Sequence, residues 1–221
     1  MLCGVDEAGR GPVMGPLVVA AVAVEDDAAL VALKVRDSKK LSGKRREELA
    51  PQIRKIARVE SIAVEASQID ALRGEMTMND IEARVFASVI DRIKPDIVYL
   101  DAADVRAEFY GAEVGRRLSY KPSKIVSEHE ADARYPVVSA ASIIAKTERD
   151  AAMRKIAADI GEKIGSGYPS DPVTRGFLER YMASHGDLPP HTRRSWETAQ
   201  DIAQGQKVLK LDSFMRRDGR A

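Results

Sequence analysis

The first stretch of the chain, Met1–Pro16, constrains the fold more than any other part of the sequence. Leu2 and Val5 are typical of a buried strand, and two adjacent carboxylates, Asp6 and Glu7, accompany them. Adjacent residues of a flat strand point to opposite faces of a sheet. The two acids therefore serve one site only if the strand ends or kinks there, which the following Gly9-Arg10-Gly11 permits. The alternative is an exposed strand end with ordinary solvated acids.

A run of eight apolar residues follows, Leu17–Val24, with neither helical periodicity nor strong polar alternation. It predicts a strand buried on both faces and paired with the first strand across the turn Gly11–Pro16. The run is much shorter than the roughly 20 apolar residues that cross a bilayer. Asp6 and Glu7 also interrupt the place where a signal peptide would be apolar. We therefore predict a soluble, cytoplasmic protein with no membrane partner.

Later strands alternate with helical patterns. Val59–Ala66 predicts a third strand, Asp96–Leu100 a fourth that ends at Asp101, and Lys124–Ser127 a short fifth. Ser42 is a predicted helix cap, and Pro51 should kink or divide the helix that follows it. The other predicted helices cover Ser67–Arg73, Thr77–Ile93, Val105–Leu118, Val137–Ile160, Asp171–Ser184 and Ser195–Gln204. Hairpin strands followed by strand–helix alternation predict an α/β protein with a mixed sheet and helices on both faces.

Composition narrows the class of protein. The chain has 221 residues, 44% hydrophobic and 31% charged, which suits one large globular domain with room for a small appendage. Its net charge is only +1, but the segment from Lys34 to Arg58 holds ten basic and three acidic residues. That local excess of seven predicts either a polyanion-binding patch or a solvated helix face. The single Cys3 excludes an internal disulfide and a cysteine-rich zinc site, and the three histidines are dispersed.

Acidic side chains carry the predicted chemistry. Asp6 and Glu7 lie at the end of the first strand, and Asp101 ends the fourth. If those strands are parallel neighbours, their ends bring the acids to one point, and Asp132 lies just before the long helix. Clustered carboxylates raise one another's pKa values unless a cation neutralises them. Hard oxygen ligands suit Mg²⁺ or Mn²⁺, and two such ions can activate a water and stabilise the leaving oxygen of a phosphodiester.

The long helix carries a second pattern, with Ser139, Ser142, Lys146 and Arg149 on one stripe at helical spacing. Small hydroxyls that lead to a lysine and an arginine suit a face approached closely by a phosphate backbone. A plain amphipathic helix is the alternative.

Several long motifs resemble the type 2 ribonuclease H family in its archaeal form, in the same order from about Met1 to Trp196. They are DEAGRGP at residues 6–12, Asp37-Ser38-Lys39, Tyr99-Leu100-Asp101, EADARYPVVSAAS at residues 130–142 and Gly167-Tyr168-Pro169-Ser170-Asp171. The resemblance implies the ribonuclease H-like fold, a central five-stranded mixed sheet flanked by helices with a C-terminal helical part. It implies a metal-dependent endonuclease that cuts the RNA strand of RNA–DNA hybrids and single ribonucleotides embedded in duplex DNA.

The resemblance also implies roles for individual residues. Asp6, Glu7, Asp101 and Asp132 match the four catalytic and metal-binding acids. Gly9, Arg10 and Gly11 match the loop that recognises the RNA–DNA junction, and Tyr168 matches the tyrosine that contacts the 2′-hydroxyl. Lys39 and Lys146 match phosphate contacts. The implied products carry 5′-phosphate and 3′-hydroxyl ends, and the implied tasks are primer removal and ribonucleotide excision.

The sequence also predicts a partner for the end of the chain and the bounds of the domains. Leu211, Phe214 and Met215 have the spacing of an apolar plug for a sliding clamp, although Val208 stands where that motif has glutamine. A disordered tail with stray apolar residues is the alternative. We predict a monomer with a catalytic domain over 1–160, a helical part over 161–204 and a flexible tail over 205–221.

Two other functions stay open on the sequence. Another nuclease or strand-transfer enzyme of the same fold would also gather acids on a sheet, and it should cut all-DNA duplexes. A non-catalytic hybrid-binding module would keep the basic segment but has no reason to hold four acids that repel its ligand.

Overall fold

The computed structural model of the chain describes residues 1–35 and 41–205. Its five named strands form one sheet: β1 (Leu2–Ala8), β2 (Leu17–Val24), β3 (Arg58–Val64), β4 (Ile97–Asp101) and β5 (Lys124–Glu128). Their spatial order is β3-β2-β1-β4-β5. The predicted five-stranded mixed sheet of an α/β protein is confirmed.

Helices fill most of the chain between and after the strands. They are α1 (Ala28–Ala32), α2 (Gly43–Ile56), α3 (Ala66–Arg73), α4 (Met78–Ile93), α5 (Ala107–Arg117), α6 (Ala131–Arg134), α7 (Pro136–Ile160) and α8 (Pro172–His185). Residues 197–205 are helical as well. The short helices α1 and α6 have too few residues to show an apolar periodicity, and the sequence did not predict them.

The first two strands form the predicted antiparallel hairpin. Leu2 pairs with Val24 and Ala8 with Val18, so the register extends along all of β1. Every residue of β2 is buried, because β1 and β3 flank it within the sheet and apolar side chains cover both of its faces.

Parallel pairing joins β1 to β4 and β4 to β5. Parallel neighbours need long crossovers. Here the chain from β2 to α4 separates β1 from β4, and α5 fills the connection from β4 to β5. The predicted parallel neighbourhood of the first and fourth strands is therefore confirmed, and it brings the carboxyl ends of β1 and β4 to one edge of the sheet.

The described chain divides into two units. The first comprises Met1–Arg10, Leu17–Val64 and Glu75–Ala151; it contains the sheet and a core built from β2, α2 and the first half of α7. The second comprises Gly11–Pro16, Glu65–Gly74 and the chain from Ala152 onward, with its own core around Met14, Phe177 and Leu178. The predicted division at residues 160 and 204 stays a prediction.

A glycine in β1 lets α7 lie directly on the strand. A Cβ added to Gly4 would stand 2.2 Å from the carbonyl carbon of Val137 and 2.3 Å from the nitrogen of Val138. No side chain fits at that distance, so backbone packs on backbone. This contact holds the start of α7 against β1 at Gly4, which lies two residues before Asp6 on the strand.

Two expectations about α2 have different outcomes. Ser42 caps the helix as predicted, because its side chain accepts a hydrogen bond from the nitrogen of Arg45. Pro51 does not divide it: α2 is one helix from Gly43 to Ile56 with the proline inside. Within the described chain, no helix combines the length and the apolar character needed to cross a membrane.

Candidate active site

Two aspartates meet where the parallel pairing of β1 with β4 ends, although β1 itself does not end at its acids and continues to Ala8. In the parallel register Val5 pairs with Leu100, so the next residue of each strand is an acid, Asp6 or Asp101. Residues at matching positions of parallel strands lie side by side on one face of the sheet. The convergence expected from the sequence therefore follows from the strand pairing.

A third aspartate, Asp132, reaches the same place from α6. Oxygens of Asp6, Asp101 and Asp132 all lie within 4.8 Å of one another. The turn into α6 places Glu130 in the left-handed region, with φ 56°, and the nitrogen of Ala131 donates to Asp101 Oδ1 over 3.2 Å. Asp132 itself is only 1% exposed. The start of α6 thus orients one acid by a backbone hydrogen bond and supplies another.

The surroundings of Asp6 show that this cluster holds excess negative charge. Burial first and the charge of Asp101 second raise the pKa of Asp6 to about 6. A hydrogen bond from Ser142, the ammonium of Lys146 and the nitrogen of Glu7 only partly oppose this rise. The cluster would therefore gain stability from a bound cation.

Glu7 is not one of the three acids whose oxygens converge, but it lies close enough for the charges of Asp6 and Asp101 to act on it. Burial, followed by the charges of Asp6, Glu82 and Asp101, raises its pKa well above the usual range. Its Oε2 atom is buried without a hydrogen-bond partner. A buried, partnerless carboxylate oxygen is costly in an apolar setting, and a cation would relieve that cost.

The donor set fits a divalent metal ion. Carboxylate oxygens are hard ligands of the kind that Mg²⁺ and Mn²⁺ prefer, and the cluster found in the described chain contains neither histidine nor cysteine. Asp6, Asp101 and Asp132 would hold such an ion, and Glu7, on which the charges of Asp6 and Asp101 act, is a fourth candidate ligand.

The stripe predicted on α7 faces inward. Ser139 is fully buried and its hydroxyl donates to the carbonyl oxygen of Val35, so the structure does not place it on a phosphate-binding surface. Ser142 is also fully buried, and Lys146 Nζ donates to its Oγ over 2.7 Å. The stripe therefore leads from the core to Asp6, because α7 packs directly on β1 at Gly4.

One buried acid beside the site was missed by the sequence reasoning. Glu82 of α4 is fully buried, and its carboxylate accepts a hydrogen bond from Arg10 Nη1. It lies three and four residues before Val85 and Phe86, on the apolar face of an amphipathic helix. A charged residue on such a face was the available signal, since a buried carboxylate needs a partner.

The loop with Tyr168 belongs to the second unit. Tyr168 is 40% exposed, and its ring lies beside Gly11, where an added Cβ would stand 3.7 Å from the tyrosine Cε1. The nitrogens of Val13 and Met14 both donate to the carbonyl oxygen of Gly167, over 2.9 and 3.2 Å. The structure thus brings together Gly11 and Tyr168, two of the residues predicted to recognise a ribonucleotide.

Several hydrogen bonds to Asp171 stabilise the same loop. Asp171 accepts from the nitrogen and the hydroxyl of Ser166, over 2.6 and 2.7 Å, and from the nitrogen of Val173 over 2.9 Å. These donors, that of the Ser166 backbone first, lower the pKa of Asp171 to about 2. Lys39 and the tail residues Leu211, Phe214 and Met215 lie outside the described residues.

A mixed α/β sheet with clustered aspartates on two neighbouring parallel strands defines the class of the protein, an α/β protein whose acid cluster suits a divalent metal ion. The family model for ribonuclease HII matches residues 3–199. Ribonuclease HII of Thermococcus sibiricus is 50% identical over 216 residues, which cover 96% of this chain and 95% of the relative.

Two solved structures agree with that match. The PCNA:RNase HII complex of Archaeoglobus fulgidus contains a chain 44% identical to this one, with a TM-score of 0.85 and coverage of 91% of this chain and 96% of that one. Ribonuclease H2 of Pyrococcus horikoshii is 40% identical, with a TM-score of 0.87 and coverage of 93% and 98%. The chain belongs to the ribonuclease HII family. It is a metal-dependent endoribonuclease with ribonuclease H activity on RNA–DNA hybrids.

Proposed function

We propose that the protein, besides its ribonuclease H activity on hybrids, cuts on the 5′ side of single ribonucleotides embedded in duplex DNA. Its products carry 5′-phosphate and 3′-hydroxyl ends. Such an activity suits primer removal and ribonucleotide excision, and a cytoplasmic monomer stays our expectation for the working form.

The observation that carries the proposal is the cluster of Asp6, Asp101 and Asp132, with oxygens within 4.8 Å of one another. Two divalent ions, Mg²⁺ or Mn²⁺, held by these acids and Glu7 would supply Lewis acidity at the phosphodiester and promote ionisation of the attacking water. The backbone nitrogens of Glu7 and Ala131 donate to Asp6 and Asp101, which orients both carboxylates before an ion arrives.

Lys146 is proposed to contact the scissile region of the backbone. Its ammonium lowers the pKa of Asp6, which places a positive charge beside the acids. A phosphate that approached the cluster would meet this charge, which offsets part of the repulsion from the carboxylates. Lys39 is proposed as a second phosphate contact on the strength of its motif.

Recognition of the ribonucleotide is assigned to Gly9, Arg10, Gly11 and Tyr168. The 2′-hydroxyl distinguishes RNA from DNA, and backbone groups of a glycine loop can approach it closely. Gly9 has a φ of 91°, a conformation that side chains disfavour. The exposed ring of Tyr168 beside Gly11 offers a flat surface for the sugar, which supports a role for both residues in this contact.

An end-labelled DNA duplex with one ribonucleotide tests the proposal, in Mg²⁺, in Mn²⁺ and in chelator. We expect a cut 5′ of the ribonucleotide that requires the metal and is lost in Asp6→Asn. Equal cutting of an all-DNA duplex would instead identify another nuclease of the same fold. Binding of the hybrid without any cutting would identify a binding module.

The tail is proposed to bind a sliding clamp through Leu211, Phe214 and Met215. The support is their spacing in the sequence and the complex with PCNA formed by the Archaeoglobus fulgidus relative. A labelled peptide of residues 205–221 should bind PCNA in a titration, and Phe214→Ala should abolish that binding. Equal binding of the Phe214→Ala peptide would rule out this plug.

A further inference from the structure

The arginine of the Gly9-Arg10-Gly11 motif is held by two residues of α4. Its Nη1 donates to the fully buried carboxylate of Glu82, and its Nη2 donates to Asn79 Oδ1 over 2.6 Å. Asn79 and Glu82 are three residues apart and so lie on one face of the helix. The planar guanidinium reaches the two acceptors with two separate nitrogens in a fixed geometry, whereas a lysine has a single ammonium nitrogen.

Asn79 uses both ends of its amide. Its oxygen accepts from Arg10, and its Nδ2 donates to Asp104 Oδ2. Asp104 lies in the segment that follows Asp101, and its Oδ1 accepts from the nitrogen of Arg106 over 2.9 Å. One helix therefore ties the chain after β1 to the chain after β4, the two strands that carry Asp6 and Asp101.

This arrangement differs from an ordinary surface ion pair. Exposed pairs contribute about 0–1 kcal/mol, because water screens them and both side chains are flexible. The Glu82 side chain is fully buried while that of Arg10 is 35% exposed, so the position of the acid is set by the core and the arginine is drawn to it. Gly9 has no side chain with which to hold its own backbone, and the neighbouring Arg10 provides an anchor.

We infer that Glu82 and Asn79 are positioning residues that hold Arg10, and thereby the Gly9–Arg10 backbone, ready for the ribonucleotide. The inference rests on the proposed function of that loop. Ordering the loop during folding removes an entropy cost from substrate binding. Loss of the anchor should therefore weaken binding of the ribonucleotide substrate and leave the chemical step nearly unchanged.

Steady-state kinetics on the single-ribonucleotide duplex, with Mg²⁺, test this assignment together with thermal melting of each variant. For Glu82→Gln we expect KM to rise about ten-fold, equivalent to about 1.4 kcal/mol of binding, with kcat within about two-fold of the parent. Asn79→Ala should raise KM about three-fold, since one of two holding contacts is lost. Arg10→Lys should resemble Asn79→Ala, because the ammonium can stay with Glu82 but cannot also reach Asn79.

Glu60→Gln is the matched control, since Glu60 faces Arg92 near the other end of α4 with 3.7 Å between the charged atoms. It should leave both KM and kcat unchanged. If Glu82→Gln does not fold, Asn79→Ala still tests the inference. In that variant Glu82 keeps Arg10 as its partner, so no charge is buried alone.

Two results would overturn the inference. A lower melting temperature with unchanged KM in both α4 variants would make the pair purely structural. A fall in kcat with unchanged KM would mean that the pair acts on the acids instead of the loop. If the parent protein fails to cut the ribonucleotide duplex, the proposed function fails first, and this result is visible before any variant is compared.

Discussion

Two aspartates in two regions of the molecule experience opposite surroundings. Asp6, near the end of β1, lies buried beside other acids, and its pKa is raised to about 6. Asp171, at the start of α8, is surrounded by hydrogen-bond donors, and its pKa is lowered to about 2. The protein's own donors stabilise the charge of Asp171, whereas its own groups stabilise that of Asp6 only in part. The arrangement around Asp171 stabilises the folded loop, whereas a raised pKa such as that of Asp6 is typical of a functional site.

The largest expected effect is on catalysis. Asp6→Asn removes a charged ligand from the acid cluster, so we expect cleavage of an RNA–DNA hybrid to fall about 10³-fold, or about 4 kcal/mol in the barrier. The fold should persist, because asparagine has the same shape. Single-turnover rates measure the loss, with Asp159→Asn as an exposed control. Cleavage within ten-fold of the parent would remove Asp6 from the metal site.

The next effect is metal-dependent stability. A ligand at 100 times its Kd stabilises a folded protein by about 2.7 kcal/mol, or roughly 5–10 °C in a chain of this size. Mg²⁺ should therefore raise the melting temperature of the parent protein and of Asp159→Asn, and do so far less for Asp6→Asn. An equal rise in all three proteins would locate the ion elsewhere.

A smaller effect is expected at Asp171. Its carboxylate caps α8 by accepting from the nitrogen of Val173, and loss of such a cap costs about 1 kcal/mol. Asp171→Ala should melt about 2–4 °C below the parent at pH 7, while Asp159→Ala should not. Mg²⁺ should raise both melting temperatures equally. A melting temperature equal to that of the parent would show that water replaces the cap at no cost.

The smallest effect is the pH dependence of that same difference. The pKa of Asp171 is lower in the folded state, at about 2, than its ordinary value of 3.8. Its stabilising contribution is therefore present above about pH 4 and is lost as the pH falls towards 2. Denaturant unfolding should show the Asp171→Ala deficit shrinking over that window. A deficit that is constant with pH would mean that the charge contributes nothing.

Local patterns were enough to predict much of the sheet. Leu17–Val24 was predicted as a buried strand with the bounds that the structure has, and Asp96–Leu100 was placed one residue from the observed β4. Apolar runs next to turn residues leave few alternatives. The proximity of Asp6 to Asp101 then followed from one assumption, parallel pairing of two strands.

Other features of the site depend on residues far apart in the sequence. Ser139 looked like a surface hydroxyl because a helix pattern does not show which face meets the sheet; contact between Gly4 and Val137 decided that. Glu82 stayed unnoticed since its partner, Arg10, lies 72 residues away. Pro51 was expected to kink or divide α2, and the helix is not divided.

The sequence by itself determined the strands, the family motifs and the acids, because these depend on local periodicity and on residue type. Only the tertiary structure decided which acids share a cluster and which are paired with an arginine. Burial and distance control the energy of a charge, and both are properties of the packed chain. Asp6 and Glu82 are both buried acids, but Asp6 lies among other carboxylates whereas Glu82 is paired with Arg10.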